Sequence, residues 1–374
     1  MTSLRVTSKP AYELLLTLVA YVTPGRVDSY AAGPEWFSDV DERLDEPTRD
    51  AVHRLFAGCE HLAVRLLDVA RRLPAPGSAE ALIEEVAALD PRTVRLTLLG
   101  YHAQRARQRV APAVILAAAE GDPAAGLSVV EHVADGPECE RALAGMLAMS
   151  DREAADLLVS LLRAWNERVF APHFDRVGPL IDREADRLRG RSREVTTEDF
   201  LSEAANGADV VPAPGVEEIE VFPTWVLRPW DVFWEQDEAM LVGVGIPDRE
   251  PSDDPEAPPD RLVRLARALG DERRLRILRR LLAGSFSLQE LAAQLETPKT
   301  TLLHHLVILR SAGIVRVGPG PQGRYSLRPG VARELHRLLD AYLPLVPPDS
   351  GTVLNRPGTA AHVDLDDREA PPSN

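Results

Sequence analysis

The sequence predicts a mainly α-helical protein with small β elements, in which a large N-terminal part precedes a smaller C-terminal part. Residues 1–205 contain repeated amphipathic runs with helical periodicity, for example at 151–171. Residues 208–246 change to short apolar segments with the alternation of strands. Residues 261–343 return to helical periodicity, with one hairpin pattern between the helices. These observations predict a helical N-terminal domain that ends in a few strands and a second, compact helical domain.

Within the N-terminal part, proline, glycine and Asp-Pro pairs divide the helical runs. The segments that we expect to be helical are those near 13–19, 48–72, 79–90, 92–120, 137–148 and 151–171. The segments that we expect to be strands are Leu4–Val6, Ile219–Phe222, Trp225–Leu227 and Met240–Val244.

The stretch Ser287–Gly313 predicts two helices joined by a turn too short for antiparallel packing. Ser287 and Glu290 have the spacing of a capping box, which starts the first helix. Thr297 offers a cap for the second helix, and Pro298 suits its first position because no N–H is needed there. An ordinary corner between two helices is the alternative, but a short helix, a tight turn and a polar second helix also fit a DNA major groove.

The second of these helices is predicted at 298–312, with Gly313 as its left-handed stop. Its inward face is expected to consist of Leu302, Leu306 and Leu309. Its outward face is expected to carry hydrogen-bond donors and small polar groups, namely Lys299, Thr300, Thr301, His304, His305 and Arg310.

A β-hairpin is predicted directly after the second helix. Ile314–Val317 and Arg324–Leu327 have strand character, and Gly318–Gly323 is a turn-rich tip between them. The tip matches G-x-G-x-x-G, but a nucleotide site would need a helix to open there, whereas two prolines and a strand follow. The segment is therefore interpreted as the wing of a winged helix-turn-helix.

Amphipathic helices are predicted on both sides of this unit. Asp271 is positioned to cap a helix, which follows another helix at 261–269, and a last helix is expected at 331–343. The buried stripe of the capped helix is predicted to consist of Leu275, Leu278, Leu281 and Leu282.

This order of elements resembles the winged-helix domain of ArsR-type transcription regulators, over residues 261–343. The resemblance is carried by ALGDERRLRILRRL at 268–281, by SLQELA, by HHLVILRSAGIV at 304–315 and by the wing. Two positions depart from it, because Leu303 and Val307 stand where family members often have polar or basic residues. Fewer side chains can then bond to base edges, although Leu303 could contact a thymine methyl group.

The resemblance implies a sequence-specific regulator of transcription, expected to be a repressor, that binds double-stranded DNA as a homodimer. Bases would be contacted by the start of the 298–312 helix, and phosphates or the minor groove by its end and by the wing. The residues assigned to DNA are Lys299, Thr300, Thr301, His304, His305, Arg310, Gln322 and Arg324. The dimer surface would lie around 262–269 and 331–343.

Charge is divided sharply along the chain. Residues 261–346 contain 15 Lys and Arg against 6 Asp and Glu, a net charge of +9. Residues 1–260 carry −21, so the whole-chain charge of −15 conceals a basic C-terminal part. The basic excess coincides with the helix-turn-helix pattern and favours DNA over a second hypothesis, a winged-helix module for protein–protein assembly.

Metal and cofactor sites are not expected. Cys59, His61, His132, Cys139 and His173 are scattered and lack ligand spacing. The metal sites known in the ArsR family are also unlikely, since the last helix offers only His336 and Asp340 and the helix before the turn has no cysteine.

The two cysteines are far apart in sequence, which suggests two buried thiols in a reducing cytoplasm. No run of about 18 apolar residues and no signal-peptide pattern is present. A soluble cytoplasmic protein without membrane contact is therefore expected.

An aromatic cluster is the best candidate for a ligand pocket or a dimer surface. A ligand bound there would be a small-molecule effector that the sequence does not identify. The cluster contains Phe222, Trp225, Trp230 and Trp234, with Phe233 beside them. The alternative, which we favour, is that these side chains cover the core of the helical domain. A third hypothesis, an enzyme-like N-terminal domain with a regulatory wing, has no supporting motif, and we expect no catalysis.

At 374 residues the chain exceeds one typical domain. The predicted organisation is a mainly helical regulatory domain at 1–246 with strands at 208–246, an acidic Pro-rich linker at 247–260, the winged-helix domain at 261–346 and a disordered tail at 347–374.

Overall fold

A computed structural model describes residues 2–23, 30, 32–134, 136–205, 210, 212–213, 215–228, 230–246, 256, 258–317, 324–328 and 330–343. The protein is mainly α-helical with small β elements, as the sequence predicts. The tail predicted at 347–374 and most of the linker predicted at 247–260 lie outside the described residues.

Helices dominate the N-terminal part. They are α1 (Pro10–Val22), α2 (Gly33–Arg43), α3 (Glu46–Phe56), α4 (Glu60–Val64), α5 (Leu67–Arg72), α6 (Ala79–Ala88), α7 (Pro91–Leu99), α8 (Gln104–Arg109), α9 (Pro112–Ala119), α10 (Pro123–Val133), α11 (Pro137–Ala148), α12 (Asp151–Trp165), α13 (Ala171–Ser192) and α14 (Thr197–Ala204). The runs predicted as single helices at 48–72 and 92–120 are each divided into three shorter helices. Several of these begin at a proline, which suits a first helical turn but not a helix interior.

The run predicted at 151–171 is longer than expected. A π-helical turn, Asn166–Phe170, joins α12 to α13, so helical backbone continues to Ser192. This turn ends two residues before Pro172, whose ring would clash with the carbonyl four residues earlier in a regular α-helix. The widened turn lets the chain pass a residue that the sequence analysis treats as a stop.

Four strands form one sheet in the order β1 (Ser3–Val6), β2 (Glu218–Thr224), β4 (Ala239–Gly245) and β3 (Val232–Gln236). β1 pairs in parallel with β2, and β2 with β4, whereas β3 is antiparallel to β4. The predicted strand at Trp225–Leu227 is wrong, because those residues form a turn after β2. β3 was not predicted, since its half-exposed residues lack a clear apolar alternation.

The sheet separates two cores. Phe222 and Leu241 on one face belong to the main core, with α1 and the other N-terminal helices. Val221 and Val242 on the opposite face pack with Phe200 of α14 and the end of α13. The predicted Leu4–Val6 segment joins this sheet as β1, although more than 200 residues separate it from its partner strand.

Two buried carboxylates fasten α1 to β2. Glu220 is fully buried and accepts hydrogen bonds from the hydroxyls of Tyr12 (2.8 Å) and Thr7 (2.7 Å) and from Nε of Arg5 (2.9 Å). Buried charges persist only where such partners compensate the loss of water. These contacts tie the middle of β2 to β1 and to the start of α1.

Glu13 does the same at the end of β2. Its carboxylate accepts from the Thr224 hydroxyl (2.7 Å) and the backbone N–H of Val226 (2.9 Å), and lies 3.3 Å from Nε2 of His173. The turn after β2 is thus held by a side chain from α1.

The two cysteines are bonded to each other, which contradicts the prediction of two separate thiols. Cys59 and Cys139 form a buried disulfide with a Cα–Cα distance of 5.0 Å. It links the start of α4 to α11, and Gly58 makes the approach possible: it has φ +64°, and a Cβ there would lie 2.9 Å from Cβ of Glu138. Because 80 residues separate the cysteines, only the packing of α3 and α4 near α11 reveals the pair.

The C-terminal unit has its own core. Its elements are α15 (Asp260–Leu269), α16 (Glu272–Leu281), α17 (Leu288–Gln294), α18 (Lys299–Ser311), β5 (Val315–Val317), β6 (Tyr325–Leu327) and α19 (Val331–Tyr342). The predicted burial of α16 is partly wrong. Leu281 is buried and Leu278 partly so, but Leu275 is 49% and Leu282 65% exposed, and Ile277 takes the inward position.

Candidate nucleic-acid interface

The first helix of the helix-turn-helix begins with the predicted capping box. Glu290 N–H donates to Oγ of Ser287 (3.2 Å), and Ser287 N–H donates to the Glu290 carboxylate (2.8 Å). These bonds satisfy two backbone donors that the start of α17 leaves free. The position of α17 is therefore encoded locally.

The turn between α17 and α18 differs in detail from the prediction. Glu296 has φ +49°, and Thr297 N–H donates to the carbonyl of Ala292 (3.1 Å). Thr297 does not cap α18, because its hydroxyl donates to the carbonyl of Leu295 (2.9 Å). Pro298 occupies the cap position, and α18 begins at Lys299.

The inner face of α18 is as predicted. Leu302, Leu306 and Leu309 are all fully buried. They pack with Leu291 of α17 and with residues of α15 and α16 in the C-terminal core. This packing fixes the rotation of α18 and decides which side chains remain at the surface.

The outer face is smaller than predicted. Lys299, Thr300 and His304 are exposed, and Thr301 is half-buried. Leu303 lies among them and is 42% exposed. The surface of the first two turns of α18 thus carries the Lys299 cation, two hydroxyls, the His304 imidazole and the apolar side chain of Leu303.

His305 is a correction, since it was predicted to point outward and is only 8% exposed. A helix turns about 100° per residue, so a position next to the inward Leu306 can lie at the edge of the buried face. Burial lowers the pKa of His305, an effect that the nearby Asp271 at the start of α16 opposes. The imidazole therefore lies on the packed side of α18 and not on its exposed face.

Arg310 has a partner that the sequence did not suggest. Its guanidinium lies over the indole ring of Trp230, 5.1 Å from the centroid. Asp231 interacts electrostatically with both Arg310 and Arg264, yet burial outweighs this attraction and raises the pKa of Asp231 to about 7. The end of α18 therefore contacts the β2–β3 connection of the N-terminal part.

Of the two wing residues assigned to DNA, the structure describes only one. Gln322 lies outside the described residues. Arg324 donates to the carbonyl of Ser285 (2.6 Å) and forms an ion pair with Glu290 (3.1 Å). It connects the base of the hairpin to the start of α17. The paired strands β5 and β6 confirm the predicted hairpin on either side of its tip.

The aromatic cluster does not converge on one cavity wall. Phe222 is buried and stacks on Tyr12 at 4.2 Å. Trp225 contacts the ring of His173 at 5.2 Å and carries Arg228 at 4.3 Å. Trp234 packs against the helical core, as do Trp225 and Trp230. The geometry fits the alternative in which these rings cover the core.

The described part of the chain has neither a metal-binding cluster nor a membrane-spanning helix. No group of three or more His, Cys, Asp or Glu is arranged to hold a metal ion there. None of the helices described is both long and apolar enough to span a bilayer.

Comparison with known proteins agrees with the geometry of the C-terminal unit. A family model described as a helix-turn-helix domain matches residues 269–318, which extend from the end of α15 to just beyond β5. No curated protein and no solved structure matches the chain. The match covers the capping box, the turn and all of α18. The chain therefore contains a helix-turn-helix domain of the kind that DNA-binding regulators use.

Proposed function

We propose that this protein is a sequence-specific transcription regulator that places α18, its recognition helix, in the major groove of double-stranded DNA. The observation that carries the proposal is the division of α18 into two faces. Its three inward leucines are buried, while Lys299, Thr300 and His304 are exposed on the first two turns. The start of a recognition helix is the part that contacts base edges in helix-turn-helix proteins.

The charge of the domain supports the same function. The net charge of +9 over residues 261–346 supplies the attraction to phosphates on which most DNA affinity depends. Exposed Leu303 adds an apolar group that suits a thymine methyl. A module for protein–protein assembly alone would not need the basic excess.

The finer assignment rests on the resemblance to ArsR-type regulators. We infer a cytoplasmic homodimeric repressor without catalytic activity, in which the N-terminal part responds to an unidentified small molecule. One recognition helix reads too few base pairs to select a site in a genome, so a two-fold dimer is expected. Leu339 of α19 and Leu343 just after its end are exposed, and we assign them to the dimer surface.

DNA selection with the purified full-length protein tests the proposal. Randomised duplexes should yield an imperfect palindrome with half-sites about one helical turn apart, roughly 34–36 Å. Affinity for the selected site should fall steeply with salt. Failure to enrich any sequence, together with binding that salt does not weaken, would contradict a role in DNA recognition.

A further inference from the structure

We propose that Trp230 and Asp231 form an intramolecular latch that holds the recognition helix through Arg310 and lowers the affinity of the full chain for DNA. The inference rests on the proposed function of α18. It adds a means by which the N-terminal part can control that helix directly. The contact joins the β2–β3 connection to the C-terminal domain. No sequence motif in either part predicts it.

The contact joins charged and aromatic groups from both parts. The Arg310 guanidinium lies over the Trp230 ring, an arrangement in which a cation is attracted to the face of an indole. Asp231 adds an acidic group near enough to interact electrostatically with Arg310 of α18 and with Arg264 of α15. Two helices of the DNA-binding domain are thus engaged by two consecutive residues.

The latch is held in position from the N-terminal side. Glu13 binds the turn after β2, and the backbone N–H of Trp230 donates to the carbonyl of Leu227 (2.8 Å). The Gly245 N–H donates to Oδ1 of Asp231 (3.4 Å), which ties the segment to the end of β4. Because the segment is fixed to the sheet and to α1, a rearrangement of the helical core would move Trp230 as well.

The closed latch lowers the affinity for DNA in two ways. Arg310, a cation at the end of the recognition helix, is directed to an indole ring instead of a phosphate. The contact also keeps a region with a net charge of −21 beside the recognition helix, where it repels the DNA backbone. Release of the latch removes both effects, so the closed form binds DNA more weakly than the open form.

The test compares Trp230→Ala with Phe233→Ala in the full chain. Phe233 is a matched control, since it is an aromatic residue three positions away on β3 and 38% exposed. Trp230→Ala should bind the selected DNA roughly three- to tenfold more tightly than wild type, and Phe233→Ala should not. Trp230→Met serves if the alanine variant is poorly folded, because it keeps an apolar side chain against the core.

A double-mutant cycle with Arg310→Ala identifies the partner. In wild type, Arg310→Ala opens the latch, which raises the affinity for DNA, and removes a cation, which lowers it. The two effects therefore oppose each other. In the Trp230→Ala background only the second effect remains, and the loss of affinity should be larger there. Equal losses in the two backgrounds would mean that Arg310 and Trp230 act independently, and would overturn the proposal.

Small-angle X-ray scattering without DNA gives a separate readout. Trp230→Ala should have a larger radius of gyration than wild type and Phe233→Ala. Scattering identical to that of wild type would overturn the latch. If wild type binds the selected DNA and Trp230→Ala binds it no more tightly, the latch is overturned but the proposed function stands. Failure of both proteins to bind any DNA would overturn the proposed function and, with it, the inhibitory role.

Discussion

Arg261 and Glu334 form a two-bonded ion pair between the first and last helices of the DNA-binding domain. Nε and one terminal nitrogen of Arg261 donate to the Glu334 carboxylate at 2.7 and 3.1 Å. The same carboxylate accepts from Arg328 after β6, and Arg261 also donates to the carbonyl of Ala312 (2.6 Å). Burial lowers the pKa of both arginines to about 10. The Glu334 carboxylate therefore joins α19 to α15 and to the segment after β6, and Arg261 extends this link to the segment between α18 and β5.

Removal of this carboxylate should destabilise the C-terminal domain. Glu334→Ala leaves two largely buried guanidinium groups without their counter-charge, which we expect to cost about 2–4 kcal/mol in the free energy of unfolding. Asp340→Ala on the same helix is the control, because its pair with His336 is exposed and contributes about 0.5 kcal/mol or less. Urea unfolding followed by circular dichroism measures both; equal stability of the two variants would refute the role of Glu334.

Lys299 should contribute directly to DNA affinity. Lys299→Ala is expected to weaken binding of a selected site by about 1–3 kcal/mol if it contacts a base, or to reduce the salt slope by about 1 if it contacts a phosphate. Arg337→Ala removes the same charge from an exposed position on α19 and should change affinity little. Fluorescence anisotropy titrations at several salt concentrations distinguish the cases. Similar losses of DNA affinity in Lys299→Ala and Arg337→Ala would show that Lys299 contributes only through the net charge of the domain.

His305 should make stability depend on pH. Burial lowers its pKa below the ordinary value of 6.5, against the attraction of Asp271 and with the help of Arg273, Arg274 and His304. The unfolded chain then binds more protons than the folded one below pH 6.5, so this contribution to stability is present above pH 6.5 and is lost on acidification.

Replacement of the imidazole separates its titration from that of other groups. His305→Gln should flatten the pH dependence of the unfolding free energy below about pH 6.5. His304→Gln, at an exposed neighbouring position, serves as control. A decline on acidification that is the same in His305→Gln and wild type would show that His305 does not titrate as its burial implies.

The disulfide should stabilise the N-terminal part. It closes a loop of about 80 residues, and its loss should cost about 2–5 kcal/mol. Dithiothreitol is expected to lower the melting temperature of wild type and to leave a Cys59→Ala, Cys139→Ala double variant unchanged. If the reductant shifts neither protein, or if mass spectrometry of freshly purified wild type finds free thiols, the cysteines are not paired in solution.

Leu339 and Leu343 should support dimer formation. Leu335 and Leu338 already pack against the core of their own domain, whereas Leu339 is 39% and Leu343 57% exposed. Leu339→Ser should weaken self-association, while Leu127→Ser, which alters an exposed leucine on α10, should not. Light scattering at micromolar concentration measures the oligomeric state; a wild-type monomer with a selected site that lacks dyad symmetry would contradict the dimer.

Local signals in the sequence were sufficient to locate the helix-turn-helix. The capping box at Ser287 and Glu290, the three inward leucines of α18 and the hairpin after Gly313 depend on spacing and backbone preference within a few residues. Such signals do not need distant partners. Local signals could not exclude His305 from the residues predicted to face DNA, because its burial depends on how α16 packs beside it.

Contacts between distant segments decided the rest. The pairing of β1 with β2, the bond between Cys59 and Cys139 and the seat of Arg310 on Trp230 each join residues far apart in sequence. Amphipathic periodicity shows which face of a helix is buried but does not name the element that buries it. By itself, then, the sequence determined a mainly helical protein with a basic helix-turn-helix; the tertiary structure alone decided which of its polar side chains face solvent and which are held by the N-terminal part.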